Sequence, residues 1–130
     1  MLLNELKDGI KMINVLAVCT ANKDRSPLIE KFIRDRYKNT TVKSVGISQY
    51  KTGLYKTNLI SLNDLTKADV VFCVSKTHIA FISGMCLAGK INNPYVINLN
   101  ITDHDKNPEM IIGQIKAKSS MIDRAIKKVS

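Results

Sequence analysis

The feature that most constrains the fold of this chain is an apolar run that leads through a short polar loop into a helix start. Residues 13–18 (INVLAV) are mostly apolar and predict a buried strand. Ser26 and Pro27 predict a helix start, with Ser26 as N-cap and Pro27 at the first helical position. A strand that turns directly into a helix brings several backbone N–H groups into one small space, which favours an anion. The loop at residues 19–25 is therefore expected to bind an oxyanion.

This loop contains a cysteine and an arginine, Cys19 and Arg25, in C-x5-R spacing. A cysteine beside an anion-binding loop is expected to ionise more readily than a free thiol, which makes it a nucleophile directed at the bound oxyanion. The alternative is structural, because cysteine also packs as a small apolar residue at the end of a strand. The position of Cys19 between a buried strand and Ser-Pro favours the nucleophile.

Predicted strands and helices alternate along the rest of the chain. The strands are expected at residues 13–18, 41–45 (closed by Gly46), 68–74 and 95–99, and the helices at 27–37, 59–65, 76–85 and 109–128, with 47–56 as a loop. This alternation predicts an α/β fold, a three-layer open parallel sheet of about four strands with helices on both faces. Ligands of such sheets bind at the carboxyl ends of the strands, and the expected anion-binding loop, a candidate phosphate-binding loop, follows strand 1 at one of these ends.

The chain has 130 residues, which predicts one domain over residues 1–130. Apolar residues recur at helical spacing in the first eleven residues, at Leu2, Leu3, Leu6 and Ile10. Residues 1–11 are therefore expected to form a short helical extension ahead of the core, or else a mobile one.

Composition narrows the class of protein. No apolar stretch is long enough to span a bilayer, so no membrane partner is expected. Three cysteines without close spacing favour a reducing cytoplasm over a disulfide framework, and His78 and His104 lie too far apart in the chain to suggest a metal site. No cofactor is expected.

The net charge of +9 comes from lysines scattered along the whole chain. This charge indicates either a solvated basic surface or a surface that attracts phosphorylated or nucleic-acid ligands. Aromatic residues make up only 5% of the chain and do not alternate with the basic ones. Nucleic-acid binding therefore stays possible but unsupported.

The chain resembles the low-molecular-weight protein tyrosine phosphatase superfamily, and within it a small bacterial and phage branch. The resemblance spans about residues 12–112 and rests first on residues 15–27 (VLAVCTANKDRSP). Three weaker stretches are 42–46 (VKSVG), 68–72 (ADVVF) with His78 after it, and 99–105 (LNITDHD) running on to Pro108-Glu109.

The resemblance implies a role for each residue of the loop. Cys19 would attack phosphorus as a thiolate and form a phosphocysteine, and Arg25 would hold two non-bridging oxygens with its planar fork. Ser26 would donate a hydrogen bond to the sulfur, and Asn22 would hold the loop in a left-handed backbone conformation. The implied phosphate-binding set is Thr20, Ala21, Asn22, Lys23, Asp24, Arg25 and Ser26.

The resemblance also implies a general acid after the fourth strand. Asp103 occupies that position, although an aspartate there is also typical of a plain turn, and Asp105 is a nearby competitor. The family has Asp-Pro-Tyr where this chain has Asp103-His104-Asp105. An aromatic wall for the substrate would therefore come from Tyr50 or, less favourably, from Tyr55.

Three functions follow from these residues. The first is a phosphomonoester hydrolase resembling protein tyrosine phosphatases, which would act on a phosphorylated protein or a small phosphomonoester and release inorganic phosphate. The second is a non-catalytic module that binds phosphate or a phosphoprotein. The third is thiol-dependent arsenate reduction, for which Cys73 and Cys86 would have to reach Cys19.

Overall fold

The structure is a computed structural model that describes residues 6–7, 10–103 and 106–130 of the chain. In these residues the strands are β1 (Leu6–Lys7), β2 (Ile10–Lys11), β3 (Ile13–Cys19), β4 (Thr40–Gly46), β5 (Val70–Cys73) and β6 (Tyr95–Asn98). The helices are α1 (Arg25–Arg36), α2 (Gln49–Tyr55), α3 (Leu62–Lys67), α4 (Lys76–Gly89), α5 (Pro108–Ala117) and α6 (Ser119–Val129).

The main sheet has four parallel strands in the order β4-β3-β5-β6. The predicted open parallel α/β sheet, with the polar loop directly after its first strand, is confirmed. The chain leaves β3 for β4 on one side and then crosses to β5 on the other. The carboxyl end of β3 is therefore a switch point of the topology, where parallel sheets form a crevice for ligands. Cys19 is the last residue of β3.

Alternate residues of β3 point to opposite faces of the sheet and join two separate cores. Val15, Ala17 and Cys19 pack with buried residues of α1, α5 and α6, among them Ile29, Ile115 and Ile122. Leu16 and Val18 pack on the other face, with Leu65 of α3 and with Ile82, Cys86 and Cys73. Helices thus cover both faces, because both sets of side chains are apolar.

Residues 47–56, which the sequence predicts to be a loop, contain the helix α2. Its N-cap Ser48 accepts a hydrogen bond from the Lys51 N–H at 3.1 Å, and Lys56 ends the helix in the left-handed conformation with φ of 56°. Only Thr52 is buried in this helix. The helix therefore lacks the apolar stripe from which a helix is predicted. The N-cap residue Ser48 is the one sequence signal that indicates it.

The single helix predicted over 109–128 is two helices, α5 and α6, which meet at Lys118 (φ −98°, ψ 10°). The buried residues of the two helices, Ile111 and Ile115 in α5 and Ile122 and Ile126 in α6, keep helical spacing across the junction. The apolar pattern therefore could not show the break.

Two further helices have a boundary that differs from the prediction by three residues or more. The short helix expected from residue 59 begins only at Leu62, because Leu59 forms an isolated parallel bridge with Gly46. Helix α4 runs past residue 85 to Gly89.

The helical extension predicted for residues 1–11 is wrong where the structure describes it. Residues 6–7 and 10–11 pair as the antiparallel strands β1 and β2. The dipeptide Asp-Gly at positions 8–9 of the sequence is a strong hairpin signal, which outweighs the helical spacing of the apolar residues. The rest of this prediction lies at residues 1–5 and 8–9, outside the described residues.

Candidate active site

The carbonyl groups of the polar loop between β3 and α1 are hydrogen-bonded to a neighbouring segment of the chain. The carbonyl oxygens of Cys19, Thr20 and Ala21 accept hydrogen bonds from donors in residues 47–57, at 3.0, 2.9 and 2.5 Å. A peptide N–H points opposite to the carbonyl of the same peptide unit, so the following N–H groups are directed away from that segment. No described residue accepts a hydrogen bond from the N–H groups of residues 20–24. These donors are therefore available to an anion.

Gly46, the last residue of β4, lets this loop approach the sheet. A Cβ atom at position 46 would lie 2.6 Å from the Thr20 carbonyl oxygen and 2.7 Å from the Asn22 nitrogen. Both neighbours are backbone atoms that cannot move without moving the loop. The shape of the anion loop thus depends on a residue without a side chain 20 or more positions away in the sequence.

Asn22 fixes the middle of the loop. Its φ of 55° is the left-handed conformation that the family resemblance implies for this position. The side-chain amide donates hydrogen bonds of 2.9 Å to the hydroxyls of Ser26 and Ser44, and its oxygen accepts one of 3.0 Å from the Asn58 N–H. Asn22 is buried, so these bonds replace contacts with water that it has lost.

Ser26 contacts the cysteine sulfur, with Ser26 Oγ 3.1 Å from Cys19 Sγ. The same hydroxyl lies 3.2 Å from the Val45 carbonyl oxygen and can donate its one hydrogen to either partner. With a neutral thiol, the S–H can donate to Ser26 while Ser26 donates to Val45. When the sulfur is a thiolate, the Ser26 hydrogen can turn toward it and stabilise the negative charge.

The prediction that Ser26 is the N-cap of α1 is wrong. Helix α1 begins at Arg25, and Asp24 occupies the N-cap position without a side-chain hydrogen bond to the helix. Ser26 is instead a fully buried helical residue. Its hydroxyl hydrogen-bonds to the Cys19 sulfur and to the Val45 carbonyl of β4 rather than to the N–H groups at the helix end.

His78 of α4 also holds the loop in place, through a hydrogen bond to Thr20. The sequence analysis gives His78 no role in the site. Its Nε2 lies 3.0 Å from Thr20 Oγ1 and its Nδ1 lies 2.6 Å from Ser75 Oγ. Burial, together with the positive charge of Arg25, lowers the pKa of His78 to about 4, so the ring is neutral at pH 7. The available signal was its place just after a buried strand that ends at the same sheet edge as Cys19.

Arg25 joins the loop to the segment that follows β6. Its Nη1 donates a hydrogen bond of 3.0 Å to the Ile101 carbonyl oxygen. Within the part of the chain that the structure describes, this carbonyl is the one acceptor that the guanidinium contacts. Its other N–H groups have no acceptor among the described residues and can therefore donate to an oxyanion.

A cavity of about 150 Å³ lies above the loop. It brings together Cys19, Arg25 and Asp103, the three residues predicted to be catalytic, although they come from three different parts of the chain. Asp103 is exposed to solvent at the cavity wall. The remaining lining residues are Thr20, Ala21, Lys23, Asp24, Lys51, Tyr55 and Lys106.

The aromatic residue at the cavity is Tyr55, and the preference for Tyr50 is wrong. Tyr50 is 77% exposed and does not line the cavity. Because residues 49–55 form a helix, Tyr55 shares a face with Lys51 one turn earlier, whereas Tyr50 lies about 100° around the helix from Lys51. The Nζ atoms of Lys23 and Lys106 lie 4.1 and 5.8 Å from the centre of the Tyr55 ring.

Asp105, the second candidate for the acid, and His104 lie outside the described residues. In residues 6–7, 10–103 and 106–130 there is no group of three His, Cys, Asp or Glu side chains that could hold a metal ion. The same residues contain no helix long and apolar enough to cross a membrane.

Comparisons with known proteins were made at the level of sequence and of structure. No protein-family model matches the chain, and no curated protein matches it in sequence. Solved structures do match. YfkJ from Bacillus subtilis superposes with a TM-score of 0.73 at 21% identity, over 92% of this chain and 97% of that one.

Two further structures carry functional names. SP-PTP, a low molecular weight protein tyrosine phosphatase from Streptococcus pyogenes, matches with a TM-score of 0.68 at 16% identity, over 87% of this chain and 93% of that one. This chain has the low-molecular-weight phosphatase fold. The YwlE arginine phosphatase from Geobacillus stearothermophilus shares it, with a TM-score of 0.63 at 16% identity over 90% and 92% of the two chains. The resemblance seen in the sequence is thus confirmed for the fold.

Proposed function

We propose that the protein is a phosphomonoester hydrolase that works through a phosphocysteine intermediate. The observation that carries this proposal is the shared cavity of Cys19, Arg25 and Asp103 above a loop whose backbone N–H groups have no acceptor among the described residues. A nucleophile, an anion-binding cradle and a carboxyl group within one small cavity are the components that such a reaction needs.

The first step transfers the phosphoryl group to sulfur. The Cys19 thiolate attacks phosphorus, a P–S bond forms, and the P–O bond to the leaving group breaks. Asp103 in its protonated form gives its proton to the leaving oxygen. The guanidinium of Arg25 and the N–H groups of residues 20–24 hold the three non-bridging oxygens, on which negative charge is spread in the transition state.

The second step releases phosphate. Asp103, now a carboxylate, takes a proton from a water molecule that attacks phosphorus. The P–S bond breaks, inorganic phosphate leaves, and the thiolate and the protonated carboxyl group are restored. Ser26 stabilises the sulfur each time it becomes negative, because its hydroxyl can turn from Val45 toward Cys19.

Trapping the intermediate tests this proposal. We expect that rapid quenching during turnover of a phosphotyrosine peptide leaves a phosphoryl group on the tryptic peptide that contains Cys19, detected by mass spectrometry. Cys73→Ala is the matched control and is expected to be labelled as the wild type is, because Cys73 is buried on the other face of the sheet. Phosphate release with no labelled cysteine, or a label on another residue, would contradict the mechanism.

Two alternatives are less well supported. Arsenate reduction needs a second thiol that reaches Cys19, but Cys73 and Cys86 belong to the opposite core. Burial raises the pKa of Cys73 to about 12 and raises that of Cys86 as well, so neither is a ready thiolate. A module that only binds phosphate needs no carboxyl group in the cavity of its anion loop, yet Asp103 lines that cavity.

The identity of the leaving group remains to be proposed, because proteins of this fold include one named as a tyrosine phosphatase and one named as an arginine phosphatase. Of the described residues that line the cavity, four are cationic, Lys23, Arg25, Lys51 and Lys106, and two are carboxylates, Asp24 and Asp103. A phosphoarginine would bring a cationic guanidinium among these cationic groups. A phosphotyrosine brings a neutral ring that can lie beside Tyr55. We therefore propose an aryl phosphoester as the substrate.

This choice predicts a ratio of rates. We expect kcat/KM for a phosphotyrosine peptide to exceed that for the matched phosphoarginine peptide by at least about 100-fold, because like charges juxtaposed in a cavity cost several kcal/mol. Lys51→Gln is expected to narrow the ratio, whereas Lys127→Gln, an equal charge change at an exposed position of α6, is expected to preserve it. Faster hydrolysis of the phosphoarginine peptide by the wild type would refute the aryl preference.

A further inference from the structure

We infer that Gln114 is a positioning residue for the general acid Asp103. This inference rests on the proposed phosphatase function and goes beyond it, since Gln114 lies eleven residues after Asp103 and does not line the cavity. What points to it is a two-point contact between its side-chain amide and the backbone just ahead of Asp103.

The contact is complementary at both ends. Gln114 Oε1 accepts a hydrogen bond of 2.9 Å from the Thr102 N–H, and Gln114 Nε2 donates one of 2.8 Å to the Thr102 carbonyl oxygen. The Thr102 hydroxyl adds a longer bond of 3.3 Å to Oε1. The side chain thus pairs with Thr102 as a neighbouring strand would, and two parallel bonds fix an orientation that one bond could not.

The fixed peptide unit leads directly into Asp103. The Thr102 carbonyl belongs to the same planar unit as the Asp103 nitrogen, so holding it restricts where the Asp103 side chain begins. The residue before is held as well, because Ile101 donates to the Val74 carbonyl and accepts from Arg25, both at 3.0 Å. Without Gln114, the last fixed point before the acid would be Ile101, two residues away.

The support for Gln114 is rigid. Ile111 and Ile115 of the same helix α5 are buried in the core, and Ile115 directly follows Gln114. Thr102 and Asp103 are exposed and lie in no helix or strand. A carboxyl group on such a segment must be held close to the productive geometry if it is to transfer a proton to the leaving oxygen. Helix α5 supplies that constraint ahead of the acid through one side chain, and the Lys106 N–H donates a hydrogen bond of 2.6 Å to the Asp103 carbonyl on the other side.

The inference predicts a loss that depends on the leaving group. We expect Gln114→Met to lower kcat/KM for phenyl phosphate about tenfold, a fraction of the 10²- to 10⁴-fold that a general acid contributes. For 2,4-dinitrophenyl phosphate, whose leaving group needs no proton, we expect a change of less than about twofold. Lys116→Met, at an exposed position on the same helix, is the matched control and is expected to change neither rate.

A double-mutant cycle shows whether Gln114 acts through Asp103. In the Asp103→Asn background, adding Gln114→Met is expected to change kcat/KM for phenyl phosphate by less than about twofold. Gln114→Glu is a second variant, which keeps an acceptor for the Thr102 N–H but sets a carboxylate against its carbonyl. It is expected to show the same dependence on the leaving group, with a far-ultraviolet circular dichroism spectrum like that of the wild type.

Two outcomes would overturn the inference and leave the phosphatase proposal standing. One is an equal fall for phenyl and 2,4-dinitrophenyl phosphate in Gln114→Met. The other is a full tenfold fall that persists in the Asp103→Asn background. A wild type that hydrolyses neither ester would instead overturn the proposed function, and the inference with it.

Discussion

Replacing Cys19 with serine is expected to abolish turnover, lowering kcat for a phosphotyrosine peptide by at least about 10⁴-fold. A serine hydroxyl stays protonated at neutral pH, and among the described residues the side chain that hydrogen-bonds to position 19 is that of Ser26, which is not a base. The cradle of N–H groups and Arg25 stays in place, so the peptide is expected to bind within a few-fold of its wild-type Kd. Phosphate release and isothermal titration calorimetry measure the two quantities.

Cys86→Ala is the control for this variant. It removes a buried thiol from the opposite core and is expected to leave kcat within about twofold of the wild type, although large-to-small changes in a core lower stability. If Cys86→Ala lost activity as Cys19→Ser does, while remaining folded, the chemistry would involve two thiols and the single-nucleophile mechanism would be wrong.

Replacing Arg25 with lysine is expected to lower kcat/KM by about 10³-fold even though the positive charge is kept. Lysine lacks the planar fork that can hold two phosphoryl oxygens together. Arg25 also donates from Nη1 to the Ile101 carbonyl oxygen while it lines the cavity, and a lysine, with a single nitrogen, cannot make both contacts in the same way. Steady-state kinetics with phenyl phosphate measure the loss, and it is expected in kcat as well as in KM because the fork matters most in the transition state.

Arg34→Lys is the matched control on the same helix. Arg34 is exposed and pairs with Glu30 at 2.7 Å, one turn away, a contact that lysine can replace. We expect no more than about a twofold change in kcat/KM. A loss of less than about tenfold in Arg25→Lys would show that charge alone, rather than the fork, is what the cavity requires.

The part of the site that the sequence predicted is the part that local structure determines. Residues 13–27 form a strand, a loop and a helix in succession, so Cys19 and Arg25 follow from short-range signals, whereas the role of Asn22 comes from the family resemblance. Asp103 could be placed because it follows the fourth parallel strand, and such strands end at one edge of the sheet.

The remaining contacts depend on pairings between distant segments. His78 reaches Thr20 across 58 residues, and Gly46 meets the loop only because β4 and β3 are in that register. The choice between Tyr50 and Tyr55 depends on the helix α2, which sets the direction of their side chains and which the sequence analysis predicts as a loop. A polar helix held by its Ser48 cap carries no apolar periodicity, so periodicity could not locate it.

The separation of the cysteines between the two faces of the sheet has a consequence for redox chemistry. Cys19 opens to the cavity, while Cys73 and Cys86 are buried on the other side. If peroxide converted Cys19 to a sulfenic acid, no neighbouring sulfur of the same molecule could capture it as a disulfide before further oxidation. Recovery would depend on a small thiol entering the cavity from solution, which ties the working lifetime of the protein to the reductant around it.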